Sequence, residues 1–181
     1  DSMQHRIRLG DRVVYKSDPY LQAVQQRIAM LIAPLMDNLQ DNDVVLSYRS
    51  GVSTQSELSK YANSKMCISF DIRKYYDHVR LPHIEEALHA VGFSREGARL
   101  IGRYCIVKRG NIHSLQQGCT ASPAISNLVG YFNFDRPILA WLRYQYPNLN
   151  YKYVRYCDNV ALFLFEPEPE GFREAYKTAV N

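Results

Sequence analysis

Two apolar runs, residues 151–157 and 160–165, are separated only by Asp158 and Asn159. Parallel neighbours need a crossover of about a dozen residues or more, so this pair must close as a tight antiparallel hairpin. Val160, Leu162 and Phe163 make its second strand strongly apolar. A third buried strand reads from Lys65 to Phe70, through Met66, Cys67 and Ile68. The remaining signals are helical. Ser17-Asp18-Pro19 offers a cap and a first-turn proline, and Leu21, Val24, Ile28, Leu31, Ile32 and Leu35 repeat at helical spacing, predicting a helix over 19–38. Pro82 opens a helix that carries Ile84, Ala87, Leu88 and Val91 on one face and ends at Gly92. Ser94 caps another, to about residue 107, and Ser122-Pro123 starts a long one to about Tyr146. A basic hairpin over 6–16 with its turn at Gly10-Asp11, a short helix over 57–63, and a loop or hairpin over 110–118 complete the pass. Helices alternating with a few strands predict an α+β fold, a small antiparallel sheet packed on helices.

Composition narrows the function classes only slightly. At 181 residues the chain suits one domain, and 22 Lys plus Arg against 18 acids leave a net charge of +4. That excess is compatible with a polyanionic partner without demanding one. Cysteines 67, 105, 119 and 157 form no CxxC pair, which argues against a zinc knuckle or a redox motif. They read as reduced, mostly buried thiols of an intracellular, cytoplasmic protein. No run approaches the ~18 apolar residues of a membrane span, and no signal peptide is legible. Both ends read as cut, the last inside a helix, so the expectation is a fragment.

The chemistry concentrates on two acids. Asp71 follows the buried strand directly, and Asp158 sits at the hairpin tip. A carboxylate ending an apolar strand is costly without a partner, and a divalent cation is the usual one. Two on neighbouring strands could hold a pair of Mg²⁺ ions about 4 Å apart for phosphoryl transfer. Spacing alone leaves open the plainer reading of two ordinary strand-end aspartates.

Four blocks sharpen the choice. Ile68 to Val79 (ISFDIRKYYDHV), Leu115 to Leu128 (LQQGCTASPAISNL) and Tyr153 to Phe163 (YVRYCDNVALF) resemble motifs A, B and C of reverse transcriptases of the bacterial retron and group II intron type. Upstream, Ser47 to Thr54 (SYRSGVST) resembles their fingers motif. The resemblance covers nearly the whole chain and implies a right-hand polymerase: fingers over 1–64, the motif A strand of the palm over 65–79, fingers/palm helices and a loop over 80–118, palm over 119–181, and no thumb. It implies an RNA-directed DNA polymerase that uses an RNA template, a primer strand and dNTP, with two Mg²⁺ ions (or Mn²⁺) and no membrane.

The resemblance also implies roles. Asp71, Asp158 and the backbone carbonyl of Ile72 would be metal ligands, with Asn159 beside them. Tyr76 would lie beneath the sugar of the incoming nucleotide and exclude a 2′-hydroxyl, whereas Tyr75 reads as core. Gln117 and Gly118 would line the nucleotide, and Arg49 and Arg12 would meet its triphosphate through planar guanidinium forks. Lys108, Arg109 and Tyr156 are candidate nucleic-acid contacts, a solvated basic turn being the alternative for the first two. The histidines show no ligand spacing.

Two departures stand out. Gln116 replaces the family's usual proline, which puts the rigidity of the motif B loop in doubt. Asn159 replaces the second of two adjacent aspartates, and an amide is a poorer ligand for a hard dication. The substitution could be engineered, natural and tolerated, or the mark of a domain that has kept binding and lost catalysis. The rival functions are therefore an RNA-dependent RNA polymerase, which Tyr76 argues against, and an inactive polymerase-like nucleic-acid-binding module.

Overall fold

The computed structural model describes residues 4–9, 12–109 and 111–181. The chain opens with antiparallel strands β1 (Gln4–Leu9) and β2 (Arg12–Ser17), paired from Gln4↔Ser17 to Leu9↔Arg12. The expected turn at Gly10-Asp11 lies outside the described residues. Helix α1 (Pro19–Ile32) begins where the Asp18 carboxylate accepts the Leu21 N–H at 2.8 Å. The predicted continuation to residue 38 is a 3₁₀ segment, Ala33–Asn38, because Pro34 has no N–H to give to an α-helical carbonyl. Helix α2 (Thr54–Ser59) starts three residues before the expected 57, since Ser53 caps it by accepting the Ser56 N–H at 3.3 Å.

Strand β3 (Met66–Asp71) leads into the single turn α3 (Tyr75–His78), then α4 (Leu81–Ala90) and α5 (Arg95–Cys105). The Ser94 cap forms as expected, its hydroxyl accepting the Gly97 N–H at 3.0 Å. Strands β4 (Ile106–Arg109) and β5 (Ile112–Leu115) make the hairpin option for 110–118 the right one, beginning a little earlier. Helix α6 (Ser122–Gly130) and α7 (Arg136–Gln145) replace the one long helix predicted over 122–146. A π-helical turn, Tyr131–Asp135, joins them just ahead of Pro137, which lacks the N–H that an unbroken α ladder would use there. Strands β6 (Tyr151–Tyr156) and β7 (Asn159–Leu164) and helix α8 (Phe172–Val180) end the chain.

The chain divides into two compact units, residues 1–40 with 74–129 and residues 41–73 with 130–181. The first unit buries Ile28 and Ile32 of α1, Ile84 and Leu88 of α4, Ala98 of α5 and Leu115 of β5. The second holds an antiparallel sheet in the order β3-β7-β6, registered by Asp71↔Asn159 and Ser69↔Ala161 on one side and Tyr156↔Asn159 on the other.

Alternation along those strands sorts their side chains. On the inner face Phe70 meets the rings of Phe134 and Tyr176 at 6.0 and 6.1 Å, and Phe172 stacks on Tyr176 at 5.8 Å. Fully buried Leu162 and Leu164 share this face. The opposite face carries Ser69, Asp71, Asn159 and Ala161. Cys67 also lies there and is exposed, so it is not among the buried thiols; the other three cysteines are buried, and all four are free. Among the described residues no helix is long and apolar enough to cross a membrane.

Candidate active site

The palm-like sheet alone brings the two predicted acids together. Asp71 is the last residue of β3 and pairs directly with Asn159, the first of β7. The two-residue turn is Cys157-Asp158, one residue earlier than the Asp158-Asn159 tip read from the sequence. The strands are tied at this end as well, because the Ile72 N–H donates to the Asp158 carbonyl at 2.7 Å. Asn159 donates from Nδ2 to Asp158 Oδ1 at 3.1 Å. Asp71 and Asn159 are exposed, Asp158 is half-buried, and Tyr156 is 43% exposed on the far side of Asn159. A cleft of about 390 Å³ opens on this face, with Leu46, Leu58 and Val154 as apolar walls and Thr54, Ser69, Asp71 and Asn159 as polar edges.

The turn is held from behind. Cys157 has φ +57°, a left-handed conformation that costs a side-chain-bearing residue about 1–2 kcal/mol. Its N–H donates to Ser47 Oγ at 2.9 Å, and its carbonyl accepts from Arg155 Nη1 at 2.8 Å. Ser47 is in place because the segment before it runs beside β6, the Leu46 N–H donating to the Arg155 carbonyl at 2.9 Å. Sequence reasoning assigned no role to Ser47, Arg155 or Asp135. The available signal was a charged residue inside a buried strand, which requires a buried partner.

As a donor set for a cation, the site offers two carboxylates and an amide. Among the described residues no group of three or more His, Cys, Asp or Glu stands together. Hard oxygen donors of this kind suit Mg²⁺ or Mn²⁺. The residues fit a divalent ion, with one charged ligand fewer than a third aspartate would give.

The other candidates are distributed as follows. In the same unit, the Arg49 guanidinium is folded onto the carbonyls of Asn42 and, at 3.4 Å, Val45. Its neighbour Tyr48 has φ +55° and its ring lies 6.2 Å from that of Tyr156. In the other unit, Tyr75 is buried, and its hydroxyl donates to the Ser126 carbonyl. Half-buried Tyr76 meets it edge-on at 5.9 Å. Lys108 is exposed in β4 opposite His113. Arg12 and Arg109 lie in β2 and β4 by backbone; their side chains fall outside the described residues.

The motif B loop is anchored more firmly than the missing proline suggested. Gln116 is fully buried. Its Nε2 donates to the Tyr15 carbonyl at 2.7 Å and Ser17 Oγ at 3.1 Å, and its Oε1 accepts from Gln4 and Gln25 at 3.0 and 3.3 Å. Its carbonyl accepts from Ser122 Oγ at 2.6 Å. The next residue, Gln117, accepts the Tyr15 N–H at 3.2 Å. Beneath the loop, the Cys119 thiol is drawn down to about 7 by the hydrogen bond from Cys105, aided by Ser122, while that same bond and burial push Cys105 well up.

Comparison with known proteins identifies the family and the fold. A family model for reverse transcriptase (RNA-dependent DNA polymerase) matches residues 14–180. No curated protein sequence matches the chain. Among solved structures it resembles apo telomerase from Candida tropicalis truncated from its C-terminal domain, at 12% identity and a TM-score of 0.61, over 97% of this chain and 45% of that one. It also resembles telomerase from Candida albicans in complex with a TWJ fragment of telomeric RNA, at 14% identity and a TM-score of 0.56, over 87% and 32%. At those identities the likeness speaks for the fold, and the chain spans less than half the length of either structure. The fingers/palm fold is thus shared, and by the match over residues 14–180 this chain belongs to the reverse transcriptase family.

Proposed function

We propose that this chain is the fingers and palm portion of an RNA-directed DNA polymerase of the retron or group II intron type. The observation that carries the reading is the convergence of Asp71 and Asp158 at one end of the β3-β7-β6 sheet, tied by the 2.7 Å Ile72–Asp158 hydrogen bond. The two carboxylates, with the Ile72 carbonyl, would hold divalent cations. Bound there, Mg²⁺ or Mn²⁺ would supply charge stabilisation for the attacking and leaving oxygens of nucleotidyl transfer. The overall reaction joins the primer 3′-hydroxyl to the α-phosphate of a dNTP and releases pyrophosphate.

The remaining residues bind and select. The cleft beside Asp71 receives the primer terminus against Leu46, Leu58 and Val154, with Tyr156 at its edge. Gln117 and Gly118 line the nucleotide, Tyr76 excludes a ribose 2′-hydroxyl, and Arg49 and Arg12 meet the triphosphate. Arg49 would have to exchange its carbonyl partners for phosphate, a change that favours the charged acceptor. Lys108 and Arg109 contact template phosphates, which makes binding salt-dependent. The telomeric RNA bound to the Candida albicans telomerase supports an RNA template here.

One observation favours a second reading, a polymerase fold kept for binding alone: Asn159 stands where a third carboxylate would face Asp71. Primer extension on an RNA template separates the two. The parent chain and the Asn159→Asp variant are compared with dNTPs and rNTPs, in Mg²⁺ and Mn²⁺. The polymerase reading expects DNA synthesis that requires Asp71 and rises in Asn159→Asp, through the chemical rate more than through nucleotide affinity. No synthesis by either protein, with RNA binding intact, would leave the binding module. Preference for rNTPs would instead indicate an RNA polymerase.

A further inference from the structure

Arg155 is the bulkiest of the fully buried side chains among the described residues, and its partner Asp135 is equally inaccessible. Nε donates to both Asp135 oxygens at 2.8 and 2.9 Å, and Nη2 donates to Oδ2 at 2.8 Å. Tyr153 completes the carboxylate's shell, its hydroxyl donating to Oδ1 at 2.7 Å. A buried ion pair is a poor way to gain stability, because desolvating two charges offsets most of their attraction and apolar residues of similar volume often do as well. The pair therefore calls for another role, and its geometry supplies one. The remaining arm of the guanidinium, Nη1, reaches forward to the Cys157 carbonyl at 2.8 Å, on the peptide that leads into Asp158. Ser47 holds the N–H of the same residue. Both polar groups of a left-handed residue are thus fixed from the protein interior, and Asp158 is the next side chain along.

We propose that Arg155, oriented by Asp135, is a positioning residue that locks the Cys157-Asp158 turn and so fixes the aim of the Asp158 carboxylate toward a divalent ion. The inference rests on the polymerase reading of Asp71 and Asp158. A fork is needed because one side chain must bind a carboxylate in two places and still reach a carbonyl, which a lysine ammonium cannot do. Outer partners of this kind change metal affinity or activity about 10- to 100-fold when removed.

The test uses the full chain and four variants: Arg155→Lys, Arg155→Met, Ser47→Ala, and the double change Arg155→Met with Asp135→Leu. Three readouts are taken on each: urea unfolding, Mn²⁺ binding by electron paramagnetic resonance, and amide hydrogen exchange at Cys157. Single-nucleotide primer extension is the fourth. The double variant leaves no uncompensated buried charge but strips a partner from the Tyr153 hydroxyl and from the Cys157 carbonyl, so its urea midpoint is expected somewhat below the parent's and well above that of Arg155→Met. It should nevertheless bind Mn²⁺ about 10- to 100-fold more weakly. It should also extend primer about 100-fold more slowly, as a misplacement near 1 Å would cause. Arg155→Lys should behave like the double variant in binding and rate, because it keeps the charge but loses the fork. Cys157 exchange should quicken in both.

A double variant with the parent's Mn²⁺ affinity and exchange rate would overturn the proposal and leave the pair a folding element. If the double variant does not fold, Ser47→Ala decides, since it loosens the same turn without touching a charge; parent-like Mn²⁺ binding and exchange there would overturn the proposal. A parent chain that binds no Mn²⁺ and extends no primer would sink the polymerase reading, while the hydrogen exchange would still judge the turn lock.

Discussion

Replacing Gly118 with alanine should damage the motif B loop in a way that separates backbone strain from close packing. Gly118 has φ +95°, a conformation side-chain-bearing residues rarely adopt, and a Cβ there would fall 2.7 Å from Val14 Cγ1 and 3.1 Å from the Tyr15 carbonyl. The backbone term costs about 1–2 kcal/mol. Relieving the overlap adds about 1–3 kcal/mol, because β2 must retreat although Gln116 and Gln117 bind it. The sum, about 2–5 kcal/mol, is a large share of the ~5–15 kcal/mol that holds a typical domain. Gly51 is the internal control: its φ is +76°, but a Cβ there meets nothing within 4 Å. Gly51→Ala should therefore show the backbone term alone. Thermal unfolding of the two variants measures the difference, expected as a melting point at least several degrees lower for Gly118→Ala. Equal melting points would refute the argument that β2 and the loop are in obligatory contact. Primer extension by the same protein should show a raised KM for dNTP if Gln117 lines the nucleotide.

Three further outcomes are expected. Gln116→Met keeps the length of the side chain but removes four side-chain hydrogen bonds, and since Gln4 and Gln25 keep other acceptors the loss should be about 2–3 kcal/mol by urea unfolding. Stability should rise with pH between about 7 and 9, because folded Cys119 loses its proton near 7 whereas the unfolded thiol holds it to the ordinary 9.0. Above that the trend should reverse, since folded Cys105 stays protonated where the unfolded thiol ionises, and buried Tyr153 and Tyr176, both pushed up by burial, add to the fall above 10. Unfolding of Cys119→Ser across this range should show no rise. Tyr76→Val should raise rNTP incorporation relative to dNTP by tenfold or more if the ring is the sugar gate, about the 1.4 kcal/mol that such a ratio represents; an unchanged ratio would assign Tyr76 to packing with Tyr75.

What could be read from the sequence was governed by neighbours along the chain. A two-residue gap dictates a hairpin, serines and aspartates at helix starts dictate caps, and strand alternation dictates which face an acid ending a strand shares with its partners. These local rules predicted the α+β order of elements and set Asp71 and Asp158 at strand ends, whereas their reading as a metal-binding pair came from the resemblance of motifs A and C. They misplaced the turn by one residue, because whether Asp158 or Cys157 occupies the first turn position depends on the register with β3 and on what lies behind. They also read one helix where Pro137 enforces a π turn.

The tertiary structure decided the rest, through polar groups that meet only after the chain has folded. Arg155 finds Asp135 twenty residues away, Cys157 finds Ser47 at a separation of 110, and Gln116 finds Gln4 at 112. Arg155 was visible as a charged residue in an apolar strand, and so as a debt of hydrogen bonds. The partner that settles such a debt is fixed by packing rather than by spacing. Burial makes an unmade hydrogen bond expensive, and the fold alone determines which donors and acceptors are buried together.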